Sequence, residues 1–119
     1  MRLGGSGSSQ REGYVEGLGT NGQWGSICDN GFDIKDADVI CRMLKFSYAI
    51  LALASSTADD LYGEPPLENF VLSNLKCNGN EESIFTECIH PGEWSETCNK
   101  SEIAGVQCAR SKLQLISSS

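Results

Sequence analysis

Residues 23–44, QWGSICDNGFDIKDADVICRML, decide how this chain is read. They hold Trp24, Cys28, Cys41, an Asn30-Gly31 turn and the acidic residues Asp29, Asp33, Asp36 and Asp38. From Ile34 onward the apolar positions Ile34, Ala37, Ile40, Cys41 and Leu44 line one face of a helix. Asp33 is a suitable N-cap, and Asp36 falls in the first turn, where the helix dipole favours a carboxylate. Asn30-Gly31 ends a strand over 24–28, in which Trp24 is expected to be a core residue under a sheet. Cys41 lies on the apolar helix face, so a disulfide from it would fasten the helix to the core. Lys35, Asp38, Arg42 and Lys45 fall outside the apolar set and are expected to be solvated.

Upstream, residues 13–25 place Tyr14, Val15 and Leu18 ahead of Asn21-Gly22, a dipeptide suited to a type I′ hairpin turn because both residues tolerate positive φ. The opening 1–13 is rich in Gly and Ser and by composition alone reads as a linker or cloning scar. Downstream, 47–66 reads as a long loop with some local order, interrupted by Pro65-Pro66. Phe70, Val71, Leu72, Leu75 and Cys77 predict a buried strand, 82–88 about two turns of helix, and Ile103, Ala104, Val106 and Cys108 a final core strand. The pattern is that of an α+β fold occupying 1–110, with 111–119 as a loose C-terminal tail.

The chain has 119 residues, enough for one domain, and a formal net charge of −7. Its Lys and Arg residues are dispersed, which argues against the clustered cations that nucleic-acid binding requires, and the acidic surface suggests cationic partners, a bound divalent metal or simply solubility. No apolar run approaches the ~20 residues that span a bilayer, so direct membrane insertion is not expected. Cys28, Cys41, Cys77, Cys88, Cys98 and Cys108 form an even set whose nearest members are ten residues apart, and His90 is the only histidine. That spacing does not suit zinc and does suit three disulfides in an oxidising compartment, with fifteen connectivities open. An oxidising location without a signal-peptide core implies a domain of a longer precursor with neighbouring domains, Met1 being an expression start.

Three blocks carry a family likeness: GQWGSICDNGFDIKDADVICRML (22–44), LSNLKCNGNEESIFTEC (72–88) and SEIAGVQC (101–108). In order and spacing they resemble the scavenger receptor cysteine-rich domain in its six-cysteine, group A form. Even RLGGS at 2–6 looks like that family's first strand. The resemblance implies disulfides Cys28–Cys98, Cys41–Cys108 and Cys77–Cys88, and a curved antiparallel sheet cradling one main α-helix. It also implies an extracellular location, secreted or in the ectodomain of a membrane protein, and a ligand-binding or adhesion function toward a protein or polyanionic surface. The alternative is a non-catalytic accessory domain of a secreted mosaic protease or oxidase. Either way the domain itself is not expected to be an enzyme: the cysteines are assigned to disulfides, and His90, beside Pro91 and Gly92, has no evident acid–base partner.

Many members of this family bind a divalent cation through two Asp after the first cysteine and a Glu in the block before AGV. The resemblance therefore nominates Asp29, Asn30 and Glu102 as Ca²⁺ ligands, with Asp33 and Asp36 as further candidates. Asn30 stands where the second Asp would be, which removes a negative charge and predicts millimolar affinity. Members that bind bacteria or polyanions often carry GRVEV, whereas here the run is GYVEG, with Tyr14 in place of Arg and Gly17 in place of Val. Metal-bridged or protein–protein contact is accordingly favoured over direct polyanion capture. Asn99-Lys100-Ser101 is an acceptor motif for N-glycosylation. The loop over 47–66 is where ligand-specific shape is expected to reside.

Overall fold

The computed structural model describes residues 1–95 and 98–109, so the tail assigned to 111–119 lies outside the described residues. Eight elements follow in order: β1 (Arg2–Gly4), β2 (Glu12–Leu18), β3 (Trp24–Ile27), α1 (Ile34–Met43), β4 (Ala49–Leu53), α2 (Ser55–Tyr62), β5 (Phe70–Leu72) and β6 (Gly105–Cys108). They build one six-stranded sheet in the order β4-β6-β2-β3-β5, with β1 also paired to β2. All pairings are antiparallel except β3 with β5, which run parallel through Ser26↔Phe70 and Ile27↔Leu72. The sheet is curled, and α1 is its main helix.

Period-two alternation assigns the faces. Val15 and Ile27 join one apolar cluster with Ala37, Val39, Ile40 and Cys41 of α1. Their chain neighbours Tyr14 and Cys28 join a second cluster on the other face with Ala58 and Tyr62 of α2. The sheet thus separates two cores, one under each helix. Cys41–Cys108 and Cys77–Cys88 are bonded within the first, and Cys28–Cys98 within the second.

The start of α1 follows from its acidic residues. Asp33 Oδ1 accepts from the amides of Lys35 at 3.0 Å and Asp36 at 3.2 Å, and Asp36 Oδ2 accepts from the Asp33 amide at 2.9 Å, a reciprocal capping box. Ile34, placed on the apolar face by its spacing, is instead 43% exposed. At the first helical position it lies ahead of the turn that meets the core. Two residues expected to be solvated have structural contacts. Asp38 Oδ1 accepts from the Ala49 amide at 2.7 Å and so ties α1 to β4. Arg42 donates to the carbonyls of Gly79 and Glu81, each at 2.7 Å.

Four further expectations are corrected. In the β2–β3 connection only Gly22 has positive φ, at 85°, with the Gly22 amide bonded to the Gly19 carbonyl and the Gly19 amide to the Gln23 carbonyl. This is a longer loop than a two-residue type I′ turn. Residues 55–60 belong to α2 rather than to loop, and 49–53 form the edge strand β4. Residues 82–88 form turns rather than a helix. Glu87 Oε1 accepts from the amides of Glu82 and Ser83, the Glu87 amide makes a single helix-type bond to the Ser83 carbonyl, and the chain then passes into the Lys76–Ile89 bridge.

The fourth correction concerns the indoles. Trp24 is half-buried, outside both core clusters, and forms a platform for Arg2, whose guanidinium carbon lies 3.9 Å from the ring centroid. Trp94 is the indole that packs on the α1-side core. It does so because Gly25 has no side chain: a Cβ there would stand 2.8 Å from Trp94 Cη2 and 2.8 Å from the Val71 amide nitrogen.

Candidate functional site

The pole of the molecule at the end of β3 gathers the residues that can meet a ligand. Past Ile27 the strand continues as a single bridge, Cys28 to Ile103, flanked by the Ala104 amide bonded to the Ile27 carbonyl at 2.8 Å. One residue further, the Asp29 amide donates to the Glu102 carbonyl at 2.6 Å. Cys28–Cys98, with a Cα separation of 6.2 Å, fastens the other end of the same segment. Between Cys98 and Ile103 the chain makes a turn in which the Glu102 amide donates to the Asn99 carbonyl at 2.8 Å and Glu102 Oε1 accepts from the Asn99 amide at 2.9 Å. Gly31, with φ of 72°, completes the opposite turn, where the Phe32 amide bonds to the Asp29 carbonyl at 3.0 Å.

The result is that a carboxylate oxygen of Asp29, one of Glu102 and Cys28 Sγ lie within 4.8 Å of one another. The sulfur is in a disulfide, which leaves the two carboxylates, both half-buried, as the oxygen donors of this group. Hard oxygen donors on rigid turns are the ligand type that Ca²⁺ takes. Asn30 is exposed beside them in the turn. Asp33 and Asp36 are not in this group. Their carboxylates serve the capping box, and Asp36 Oδ1 also accepts from the Cys77 amide at 2.7 Å, which fixes α1 against the segment leading to the Cys77–Cys88 disulfide. Asp36 is 1% exposed, and burial, reinforced by the Asp33 charge, pushes its carboxyl up to about 6 despite the backbone bonds that oppose the shift.

Next to the carboxylate pair lies a pocket of about 130 Å³ lined by Asp59, Glu64, Pro65, Glu68, Lys100 and Ser101. Tyr14, wholly buried, approaches from the sheet, its hydroxyl hydrogen-bonded to Asp59 Oδ1 and the Gly63 carbonyl. Burial, then the hydrogen bond to Asp59, raises its phenol above the ordinary range. Tyr14 and Gly17 are both buried, so neither belongs to a ligand-facing surface. The sequence did not point to Asp59 or its neighbours, because nothing marks α2 as a helix whose acidic side returns to this pole.

No cysteine is free. His90 has both ring nitrogens engaged, Nε2 with the Phe85 carbonyl at 2.9 Å and Nδ1 with the Gly92 amide at 3.0 Å. These two contacts make the ring a clamp within its own loop. Among the described residues no helix is long and apolar enough to cross a membrane.

These features agree with comparison to known proteins. The model of the family described as Scavenger receptor cysteine-rich domain matches residues 5–109. A scavenger receptor cysteine-rich domain superfamily protein of Patiria pectinifera is 42% identical over 109 residues, covering 92% of this chain and 9% of the relative. Lysyl oxidase homolog 2 of Homo sapiens is 41% identical over 97 residues, covering 82% of this chain and 12% of the relative. This chain therefore spans about a tenth of the length of those curated relatives. Among solved structures, the dimeric form of the SRCR domain of mouse MARCO superposes with a TM-score of 0.69 at 35% identity, covering 82% of this chain and 86% of that one. The third SRCR domain of murine neurotrypsin gives 0.67 at 38% identity, covering 90% and 92%. Cysteine frame, sheet, helices and sequence converge: the chain belongs to the scavenger receptor cysteine-rich domain family, whose members are generally extracellular, typically non-catalytic ligand-binding modules.

Proposed function

We propose that this domain is an extracellular ligand-binding or adhesion module within a larger secreted or membrane-anchored protein, and that it holds Ca²⁺ at Asp29 and Glu102. The observation that supports the reading is the convergence of the two carboxylates within 4.8 Å, on turns fixed by the Cys28–Cys98 disulfide. Asn30 would add an amide oxygen. Two carboxylates are few for Ca²⁺, so affinity belongs in the range of about 10⁻⁴–10⁻³ M found for extracellular modules. A bound ion supplies positive charge to an otherwise acidic surface, and a small anionic group able to reach the ion would complete its coordination. Asp29 and Glu102 would position the ion, and their backbone pairing would keep the site preorganised.

Ligand-specific shape is assigned to 47–66, which carries the exposed Tyr48 just before the edge strand, Ile50 and Leu51 on it, and Leu61 on α2. A second reading is favoured by the likeness to lysyl oxidase homolog 2, of which the matched region is a small part. On that reading the domain positions a neighbouring oxidase or protease domain. A binding screen of the folded domain against polyanions, bacterial surfaces and cell-surface proteins, with Ca²⁺ or chelator, separates the two. Chelator-sensitive capture supports the first reading, and absence of capture at any Ca²⁺ concentration counts against it.

A further inference from the structure

We propose that Asn99 carries an N-linked glycan, and that its first sugars shield the Asp29–Glu102 carboxylates so that this pole admits a small cation and excludes bulky ligands. The inference rests on the extracellular reading above and deepens it by naming what can reach the site.

Asn99-Lys100-Ser101 is the sole Asn-x-Ser/Thr sequence in the chain, and all three residues are exposed. They occupy a turn held through its backbone, by the Glu102 amide on the Asn99 carbonyl and the Asn99 amide on Glu102 Oε1. Among the described residues the Asn99 side-chain amide has no hydrogen-bond partner, so attachment there breaks no contact of the fold. In the transfer, Asn99 Nδ2 bonds to the anomeric carbon of a lipid-pyrophosphate-linked oligosaccharide. The bond from that carbon to the pyrophosphate oxygen breaks, the lipid pyrophosphate leaves, and one amide proton passes to a base of the transferase.

The placement follows from two contacts. The Asn99 backbone amide donates to Glu102 Oε1, a carboxylate of the pair, at 2.9 Å. Lys100 and Ser101, the next residues, line the acidic pocket with Asp59, Glu64 and Glu68. A glycan rooted at Asn99 therefore begins beside the carboxylate pair, near the mouth of the pocket. An ion passes beneath such a chain, whereas a protein surface does not without displacing it.

The test is to secrete the full chain from a eukaryotic host and measure its intact mass before and after peptide N-glycosidase. The expected result is an N-glycan on the natural protein and on Ser101→Thr, and none on Asn99→Gln or Ser101→Ala. Carbodiimide coupling of Asp29 and Glu102 is then compared for a small amine and a polymer-linked amine. Polymer coupling should be several-fold lower in the glycosylated form, with small-amine coupling unchanged. A secreted product with three disulfides and the bare polypeptide mass overturns the inference and leaves the extracellular reading standing. So does polymer coupling that is equal with and without the glycan. Failure to form the three disulfides in that host would count against the extracellular reading, and with it this one.

Discussion

The Asp29 backbone amide donates to the Glu102 carbonyl at 2.6 Å, which joins the end of β3 to the turn before β6 one residue from the Cys28–Cys98 bond. The acidic pair is therefore a property of the cross-link as much as of the two residues. Replacing Cys28 and Cys98 together by Ala should lower stability by about 4 kcal/mol on loop closure. It should also weaken Ca²⁺ binding at the pole. Replacing Cys77 and Cys88 should cost about 3 kcal/mol for its shorter loop and leave ion binding intact. Denaturant unfolding and calorimetry on both variants check the contrast.

Asp36 predicts an unusual pH response. Its folded carboxyl titrates at about 6 against an ordinary value of 3.8, so the folded state binds the proton more tightly than the unfolded one. The contribution to stability is present below pH 3.8 and is lost as pH rises through about 6. The whole swing is at most about 3 kcal/mol. Measured as the difference between wild type and Asp36→Asn, the advantage of the wild type should shrink between pH 4 and pH 7, about the window those values set. A difference that grows with pH would contradict the assignment.

Gly25→Ala should destabilise by about 1–3 kcal/mol, because the new Cβ meets the Trp94 ring and the Val71 backbone and neither can move freely. Trp94 fluorescence should shift with the repacking. Unchanged melting and emission would show that the contact is not tight.

Arg2 pairs with Glu16 at 2.6 Å, the Glu16 side chain being only 4% exposed while that of Arg2 is 49% exposed. Glu16 Oε2 has no hydrogen-bond partner among the described residues, so this ion pair is the main compensation for its burial. Arg2→Ala should cost about 1–3 kcal/mol, discounted from a fully buried pair by the solvent around Arg2. Glu16→Gln in the same background should recover part of that, which a double-mutant cycle reads directly.

How far these features were legible in the sequence depends on what each one needs. The start and apolar face of α1 could be read from Asp33, Asp36, Ala37, Ile40 and Cys41 because capping and helical period are local. α2 could not. SSTADDLY buries Ala58 and Tyr62, four residues apart, against a sheet face that the sequence does not show. The direction of β5 against β3 is equally absent from a period-two pattern, which says which face is buried and not which strand is adjacent. The chemistry of Trp24 points to the core, yet alternation puts Gly25 and Ile27 on the α1 face and Trp24 on the other. Gly25 marks where the second indole, Trp94, comes in. At the candidate site, Asp29 and Glu102 became neighbours through the resemblance and its implied disulfide. Asp59, Glu64 and Glu68 reach the same pole only through the course of α2 and the loop after it.

The most direct test of the central claim is calorimetric titration of the disulfide-intact domain with Ca²⁺, compared with Asp29→Asn and Glu102→Gln. Glutamine at 102 keeps an acceptor for the Asn99 amide, so loss of binding would report the charge rather than the turn. The account predicts saturable binding with Kd of about 10⁻⁴–10⁻³ M in the wild type and at least a tenfold loss in each variant. No heat and no rise in melting temperature at about 10 mM Ca²⁺, beyond the weak end of that range, would contradict it.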